Sequence, residues 1–292
     1  MRNRGFWMSL VVGLVLTGQA LAMGNQEIGP RQVTEGTVGF NLYWGYLIVA
    51  QGSAGNLKDL NFVLDTGASR TVLDPRVARK LHLEEESASI VVVGGNVKAA
   101  SASLPSLSFG PLQKENFFVQ IVDLSFIQKS LPVHVDGIIG LDVLGQSPFV
   151  IDYVSRKIHF GAVPALPSGI PLHLSNGLMV VDGEVNGVAA SLMLDTGAPA
   201  LILFARNIAA PATGLKVSTA QRSSESIGEF DHKEGTLHSL RLGEIEFGKE
   251  RFSAVSEGRP PGYSFDGLLS PAALGATKVA IDLGRGEVAF SR

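Results

Sequence analysis

The sequence predicts an all-β protein in which one barrel-like unit is used twice, so that two β-barrel halves are related by a pseudo-twofold axis. Matching segments recur along the chain at one constant spacing. VDGIIGLDVLG (135–145) corresponds to FDGLLSPAALG (265–275), and IDYVSRKIHF (151–160) corresponds to IDLGRGEVAF (281–290). The segments between them are short, rich in β-branched and aromatic residues, and bounded by Gly, Pro or Asn, which is typical of strands.

The composition narrows the classes of function. The chain has 292 residues and 45% hydrophobic content, enough for one large or two modest cores. A net charge of −3 and the lack of a Lys/Arg-rich stripe argue against a nucleic-acid partner. The absence of cysteine excludes disulfides and thiolate catalysis, and the six histidines lack metal-ligand spacing. We therefore expect neither a cofactor nor a metal.

The first 22 residues have the features of a signal peptide. Arg2 and Arg4 precede the apolar run 6–18, and Ala20-Leu21-Ala22 fits a cleavage site. The run is shorter than the roughly 20 residues that span a bilayer, although an uncleaved anchor is the alternative. We expect an exported protein, periplasmic or secreted, without a stable membrane span after signal removal. The polar segment 23–35 is interpreted as a disordered terminus or a short pro-segment.

The repeat sets the predicted domain boundaries at 36–162 for the first half and 170–292 for the second, joined by a linker rich in Gly and Pro. Asp74 and Pro75 are typical of a helix start, which predicts a short helix over 76–81. One or two helical turns are also expected at 141–145 and 271–275. The strands expected in the first half include YLIVA (46–50), SIVVV (89–93), FFVQIV (117–122) and KIHF (157–160).

An Asp-Thr-Gly tripeptide follows an apolar strand in each half. DTGAS (65–69) and DTGAP (195–199) stand 130 positions apart, at the same point of the repeat. A single copy would also fit an ordinary turn in which Asp accepts local N–H groups. Two matched copies favour a functional site.

A pseudo-twofold axis brings equivalent residues together, so Asp65 and Asp195 are predicted to meet at the axis. Two carboxylates a few ångströms apart in a low-dielectric site cannot both ionise easily and therefore share a proton. One can accept a proton from a trapped water while the other donates a proton to a carbonyl oxygen. The predicted chemistry is general acid–base hydrolysis.

The neighbouring residues of both loops are expected to support the pair. The hydroxyls of Thr66 and Thr196 can bond across the axis to the opposite backbone and hold the loops rigid. Gly67 and Gly197 allow backbone N–H groups to approach the carboxylates.

The sequence resembles the aspartic peptidase superfamily, specifically its retropepsin-like members. The resemblance implies two acid-protease-like β-barrel halves with a cleft between them, and a monomeric endopeptidase that acts on a peptide or protein substrate. A strand of two hydrophobic residues and Gly that threads the catalytic loop is implied as well. The motifs that carry the resemblance are DTGAS (65–69), DTGAP (195–199), DGIIG (136–140) and DGLLS (266–270), and it covers about 36–160 and 170–290.

The family also has a hairpin flap that closes over substrate. Its best match is VVVGGNVKA (91–99), where Gly94 and Gly95 are predicted to form the hairpin tip. An ordinary exposed hairpin is the alternative. The second-half counterpart, 223–235, is polar and longer.

The chain departs from the pepsin-like pattern at Ala68 and Ala198, where Ser or Thr is usual. A missing hydroxyl leaves the ionised carboxylates with fewer hydrogen bonds, which predicts raised pKa values for the dyad. We therefore expect an activity optimum nearer about pH 5–6 than about pH 2.

Two further departures fall in the second half. Pro199 replaces the counterpart of Ser69 and removes an N–H donor, and Ser270 replaces the counterpart of Gly140. A serine at a crowded crossing is expected to displace the threaded strand. These changes leave open a catalytically inactive module that binds extended peptides in the cell envelope, as the alternative to an exported aspartic endopeptidase of broad or narrow specificity.

Four more aspartates recur at matched positions. Asp152 and Asp282 each begin a tight hairpin and are interpreted as turn-capping acids, although symmetry alone would also fit a catalytic pair. Asp136 and Asp266 precede the threading strand and are expected to support the loop.

Overall fold

The computed structural model describes residues 34–92, 95–129, 131–163, 169–205, 216–225, 228–255, 259–260 and 262–292. These residues are predominantly in strands, which confirms the all-β prediction. The predicted signal peptide and nearly all of the segment 23–35 lie outside the described residues. No helix in the described ranges is both long and apolar enough to cross a membrane.

The first half is built from short strands with brief helical turns between them. The helix predicted after Asp74 is present, and the Asp74 side chain accepts a 3.0 Å hydrogen bond from the Arg76 N–H as its N-cap. The elements of this half are β1 Gly36–Tyr43, β2 Leu47–Ala54, β3 Leu57–Leu64, β4 Val72–Leu73, α1 Pro75–Lys80, β5 Glu86–Val92, β6 Gly95–Phe109, β7 Leu112–Ile121, α2 Ser125–Gln128, β8 Gly137–Ile139, α3 Leu141–Leu144, β9 Phe149–Asp152 and β10 Lys157–Phe160.

The second half repeats this order with strands alone among its described elements. Residues 271–275, where one or two helical turns were expected, form a hydrogen-bonded turn. The strands are β11 Ile170–Ser175, β12 Leu178–Val185, β13 Val188–Leu194, β14 Leu201–Phe204, β15 Lys216–Glu225, β16 Gly228–Thr236, β17 Leu240–Leu242, β18 Ile245–Phe247, β19 Arg251–Val255, β20 Gly267–Leu269, β21 Lys278–Asp282 and β22 Glu287–Ser291.

An antiparallel sheet shared by both halves marks the symmetry axis. Its strand order is β1, β10, β9, β21, β22, β11. At its centre Val150 of β9 pairs with Ala280 of β21. These two residues are equivalents in the repeat, so the pseudo-twofold axis passes between them. The sheet joins the halves through backbone hydrogen bonds rather than through the linker alone.

Each half also contains the same crossing of short strands. In the first half β8 runs parallel to β3 and antiparallel to β4, with Val72 opposite Ile138. In the second half β20 makes the same contacts with β13 and β14, with Ile202 opposite Leu268. The threaded strand lies beside the strand that ends in the Asp-Thr-Gly loop, and it therefore fixes where that loop begins.

The four additional aspartates have the structural roles expected of them. Asp152 Oδ1 accepts the N–H groups of residues 154 and 155, and Asp282 Oδ1 accepts those of residues 284 and 285. Asp136 and Asp266 accept the N–H groups of Asn61 and of residue 191, in the strands that lead to the loops. Turn capping and loop support are both confirmed.

Candidate active site

The two predicted aspartates lie at the ends of equivalent strands. Asp65 follows β3, and its N–H donates to the Ile139 carbonyl at 3.1 Å. Asp195 follows β13, and its N–H donates to the Leu269 carbonyl at 3.0 Å. Both side chains are buried, with 2% and 0% of their surface exposed. The threaded strands β8 and β20 thus anchor the first residue of both loops.

Thr66 and Thr196 bind each other's loops across the pseudo-twofold axis. The N–H of each threonine donates to the hydroxyl oxygen of the other at 3.0 Å. The Thr66 hydroxyl donates to the Leu194 carbonyl at 2.8 Å, and the Thr196 hydroxyl donates to the Leu64 carbonyl at 3.1 Å. These four buried bonds link residues far apart in the chain and lock the two loops together.

Gly67 and Gly197 lie directly against the carboxyl group of the opposite half. A Cβ added to Gly67 would stand 2.7 Å from Asp195 Cγ, and one added to Gly197 would stand 2.9 Å from Asp65 Cγ. Each glycine also donates its N–H to the aspartate of its own loop, at 2.7 Å and 2.8 Å. No side chain fits at either position, which explains why glycine occurs in both loops.

Burial dominates the electrostatics of the two carboxyl groups. It raises the pKa of Asp65 to about 6, against the opposing effect of hydrogen bonds from the Gly67 N–H, the Asp195 side chain and the Gly197 N–H. The pKa of Asp195 is raised further, first by burial and then by the charge of Asp65. Asp195 Oδ2 accepts no hydrogen bond from an N–H or hydroxyl group of the described residues, which leaves this oxygen to carry the proton of the pair. The pair therefore favours a state with one proton, held on Asp195 and donated towards Asp65.

The raised pKa values agree in direction with the sequence prediction, but the main cause differs. We expected the missing hydroxyls at Ala68 and Ala198 to raise them, whereas desolvation is the largest contribution for both carboxyl groups. Pro199 has no backbone N–H, but this does not leave the Asp195 carboxyl group without hydrogen bonds from its own loop. Asp195 still accepts hydrogen bonds from the backbone of Gly197 and Ala198.

The expectation that Ser270 displaces the threaded strand is wrong. In the first half the Leu141 N–H donates to the Ala68 carbonyl at 2.8 Å. The residue equivalent to Leu141 is Pro271, which has no N–H to donate. The Ser270 hydroxyl donates to the Ala198 carbonyl at 2.6 Å instead. The serine supplies the hydrogen bond that the proline lacks, and β20 keeps the pairing that β8 has.

The first half contains a polar cluster that sequence reasoning missed. Thr71 accepts from the Gly140 N–H at 3.3 Å and donates to Asp142 Oδ1 at 2.7 Å. Lys114 Nζ donates to the Asp142 carbonyl at 2.6 Å. Burial lowers the pKa of Lys114 and raises that of Asp142. In the sequence, Thr71 and Asp142 differ in residue type from their counterparts in the second half, and that difference is the signal that could have located the cluster.

A hairpin occurs where the flap was predicted. Strands β5 and β6 pair from Glu86 with Ser101 to Val92 with Gly95. Gly95 begins β6, and Gly94 lies outside the described residues. The second half has a counterpart in β15 and β16, which pair from Lys216 with Thr236 to Glu225 with Gly228. That this hairpin closes over substrate stays a prediction.

Comparison with known families gives one result for each half. The model of the aspartyl protease family matches residues 50–143 and again 181–271, and each match includes one Asp-Thr-Gly loop. A search among curated proteins gives no match. The two family matches together cover more than half of the chain, and each lies within one structural half. The protein therefore belongs to the aspartyl protease family.

Proposed function

We propose that the protein is an exported aspartic endopeptidase that hydrolyses peptide bonds with a water activated by Asp65 and Asp195. The observation that carries the proposal is the reciprocal pairing of Thr66 and Thr196, which holds two buried carboxyl groups together at the axis. Membership of the aspartyl protease family supports it. Export rests on the signal-like start of the sequence, and N-terminal sequencing of the secreted protein, with Met23 expected first, tests it.

In the proposed mechanism Asp65 is the base and Asp195 is the acid. Asp65 has the lower pKa and accepts the hydrogen bond from Asp195, so it is the carboxylate of the singly protonated pair. The water oxygen attacks the peptide carbonyl carbon while a water proton passes to Asp65. Asp195 gives its proton to the carbonyl oxygen.

The second step restores the dyad. The C–N bond of the tetrahedral intermediate breaks, and the proton held by Asp65 passes to the leaving nitrogen. A hydroxyl proton of the intermediate returns to Asp195 as the new carboxyl group forms. Atoms and protons balance over the cycle, and the enzyme ends with one proton on the pair.

Replacement of Asp65 by Asn tests the proposal. The variant keeps an acceptor oxygen for the Gly67 N–H but cannot take a proton from water, so we expect kcat/KM for peptides to fall at least about 10³-fold. Asp152→Asn is the matched control, because Asp152 is a buried aspartate that caps a turn. An Asp65→Asn protein that is folded and still cleaves peptides at the parental rate contradicts the proposal.

The same assay separates the enzyme from a peptide-binding module. A module that only holds an extended chain would bind peptides and release them intact. Turnover of a mixed peptide library, blocked by a statine-type transition-state mimic, excludes the module. Peptide binding without turnover would favour it.

A further inference from the structure

One peptide group of the threaded strand in the first half joins Asp65 to Thr71. The carbonyl of Ile139 accepts the Asp65 N–H at 3.1 Å, and the N–H of Gly140 donates to the Thr71 hydroxyl oxygen at 3.3 Å. This carbonyl and this N–H belong to the same planar peptide unit, so they turn together. The bond to Thr71 therefore fixes the orientation of the carbonyl that anchors Asp65.

The direction of the Thr71 bond is set by Asp142. A threonine hydroxyl has one proton to donate, and Thr71 donates it to Asp142 Oδ1 at 2.7 Å. The lone pairs of the same oxygen then face the Gly140 N–H. Thr71 is fully buried, so its hydroxyl is not placed to contact substrate and acts through the backbone alone.

Lys114 and Arg70 favour the ionised form of Asp142. The Lys114 ammonium group donates to the Asp142 backbone carbonyl at 2.6 Å and lies 3.6 Å from Oδ2. Burial raises the pKa of Asp142, and the positive charges of Lys114 and Arg70 oppose that rise. An ionised carboxylate can only accept, whereas a protonated one would compete to donate to the Thr71 oxygen. The positive charges thus maintain the direction of the Thr71 bond.

The second half lacks this arrangement. The counterparts of Thr71, Asp142 and Lys114 are the apolar residues Leu201, Ala272 and Phe247, from the repeat spacing and from the matched pairing of β4 with β7 and of β14 with β19. Leu201 offers no side-chain acceptor to the peptide group that anchors Asp195. A polar cluster needed only to build the strand crossing would be expected in both halves, because both contain that crossing.

We propose that Thr71, Asp142 and Lys114 are positioning residues that orient Asp65 as the base of the dyad. The inference rests on the proposed peptidase function. Lys114 holds Asp142, Asp142 directs the Thr71 hydroxyl, and Thr71 fixes the peptide group that anchors Asp65. The role is confined to the half that carries the proposed base, and the half that carries the proposed acid does without it.

Thr71→Val tests the hydroxyl, because it keeps the shape of the side chain and removes the donor and acceptor. We expect kcat per active site, counted by titration with a statine-type mimic, to fall at least about tenfold with little change in KM. The geometry of the base changes, whereas contacts to substrate do not. Thr71→Ser should recover most of kcat. Thr277→Val is the matched control, since its hydroxyl donates to the Ser291 carbonyl outside the catalytic loops, and it should leave kcat unchanged.

A combined variant separates positioning from stability. Thr71→Leu, Asp142→Ala and Lys114→Phe together give the first half the residues of the second, where the same crossing is formed. If the cluster only stabilised the crossing, this apolar set would preserve kcat in the folded protein. We expect instead a folded protein, judged by circular dichroism and thermal unfolding, whose kcat is at least about tenfold below that of the parent.

Parental kcat in folded Thr71→Val overturns the inference and leaves the peptidase function standing. A Thr71→Ser variant as impaired as Thr71→Val also overturns it, because the hydroxyl would not be the cause. If Thr71→Val does not fold, Asp142→Ala decides by the same readout, since it keeps Thr71 but removes the acceptor that directs it. A wild-type protein that cleaves no peptide overturns the proposed function, and the inference with it.

Discussion

At the scale of single residues, two identical motifs produce two unequal carboxyl groups. Both carboxyl groups are buried, but Asp65 accepts N–H groups from both loops, whereas the charge of Asp65 raises the pKa of Asp195, and Asp195 Oδ2 accepts no N–H or hydroxyl in the described chain. The same tripeptide thus contains a carboxyl group of lower pKa, Asp65, in one half and one of higher pKa, Asp195, in the other. This inequality allows one carboxyl group to act as base while the other acts as acid.

The pH dependence of activity follows from these directions. The base must be ionised, and burial raises the pKa of Asp65 to about 6, so kcat/KM should fall about tenfold per pH unit below that value. The acid must keep its proton, and burial together with the charge of Asp65 raises the pKa of Asp195, which extends the pH range in which it stays protonated. A profile measured from about pH 3 to about pH 9 should peak near or above pH 6. A maximum below about pH 3 would contradict it.

Asp195→Asn should stabilise the protein at alkaline pH while it removes activity. The folded-state pKa of Asp195 is raised, so its stability contribution is complete below the ordinary value of 3.8 and is lost as pH rises through the folded value. Asn is neutral at every pH, and its amide can still donate to Asp65. We expect a melting temperature above that of the parent by at least about 3 °C at pH 8, with a smaller gain at pH 5. An equal shift at both pH values would show that charge is not the cause.

At the scale of elements, the threaded strands show two solutions to one hydrogen-bonding problem. Leu141 supplies a backbone N–H to the loop of the first half, and Ser270 supplies a hydroxyl to the loop of the second. Proline at 271 and serine at 270 compensate each other. In the sequence Ser270 is only a departure from the first half, and its hydrogen bond to the Ala198 carbonyl shows what it does beside Pro271.

Substitutions at the two strand crossings should destabilise the protein for different reasons, loss of a hydrogen bond at Ser270 and overpacking at Gly140. Ser270→Ala removes the bond to the Ala198 carbonyl, which Pro271 cannot replace, so we expect a loss of about 1–2 kcal/mol in urea unfolding. In the first half the Ala68 carbonyl already accepts the Leu141 N–H, so a side chain at Gly140 adds no needed hydrogen bond. A Cβ added to Gly140 would stand 2.6 Å from the Arg70 carbonyl oxygen. Gly140→Ala should therefore cost about 2 kcal/mol or more through overpacking. If Ser270→Ala is neutral, the compensation is wrong.

Local patterns predicted the elements whose signals are local. Helix α1 begins at an Asp-Pro pair, and both Asp-Thr-Gly loops follow strongly apolar strands, so sequence alone located them. Helix α2 has no side-chain cap at Leu124, and nothing in its sequence indicated a helix. The bonds of Thr71 and Lys114 to Asp142 join residues 71 and 28 positions apart, and that proximity exists only after β4, β7 and α3 have packed.

At the scale of the whole molecule, the repeat in the sequence becomes an axis in the structure. The shared sheet pairs Val150 with its own equivalent Ala280, and the threonines pair with each other near the dyad. The two halves are therefore joined through backbone and side-chain bonds at two separate places. A site made of one carboxyl group from each half requires this union, because neither half contains the pair.

The threonine pair offers the sharpest test of that union. Thr66→Ala removes a hydroxyl that donates to the Leu194 carbonyl and accepts from the Thr196 N–H, leaving both buried groups without partners. We expect kcat to fall roughly 10–100-fold with little change in KM, and the free energy of unfolding to fall by about 2–3 kcal/mol. By symmetry Thr196→Ala should behave alike, and Thr66→Ser should retain most activity. Because both hydroxyls belong to one hydrogen-bonded network between the loops, the double variant should lose less free energy of unfolding than the sum of the two single losses. Additive losses would show that each loop holds its carboxyl group independently, and the dyad would then not depend on the axis.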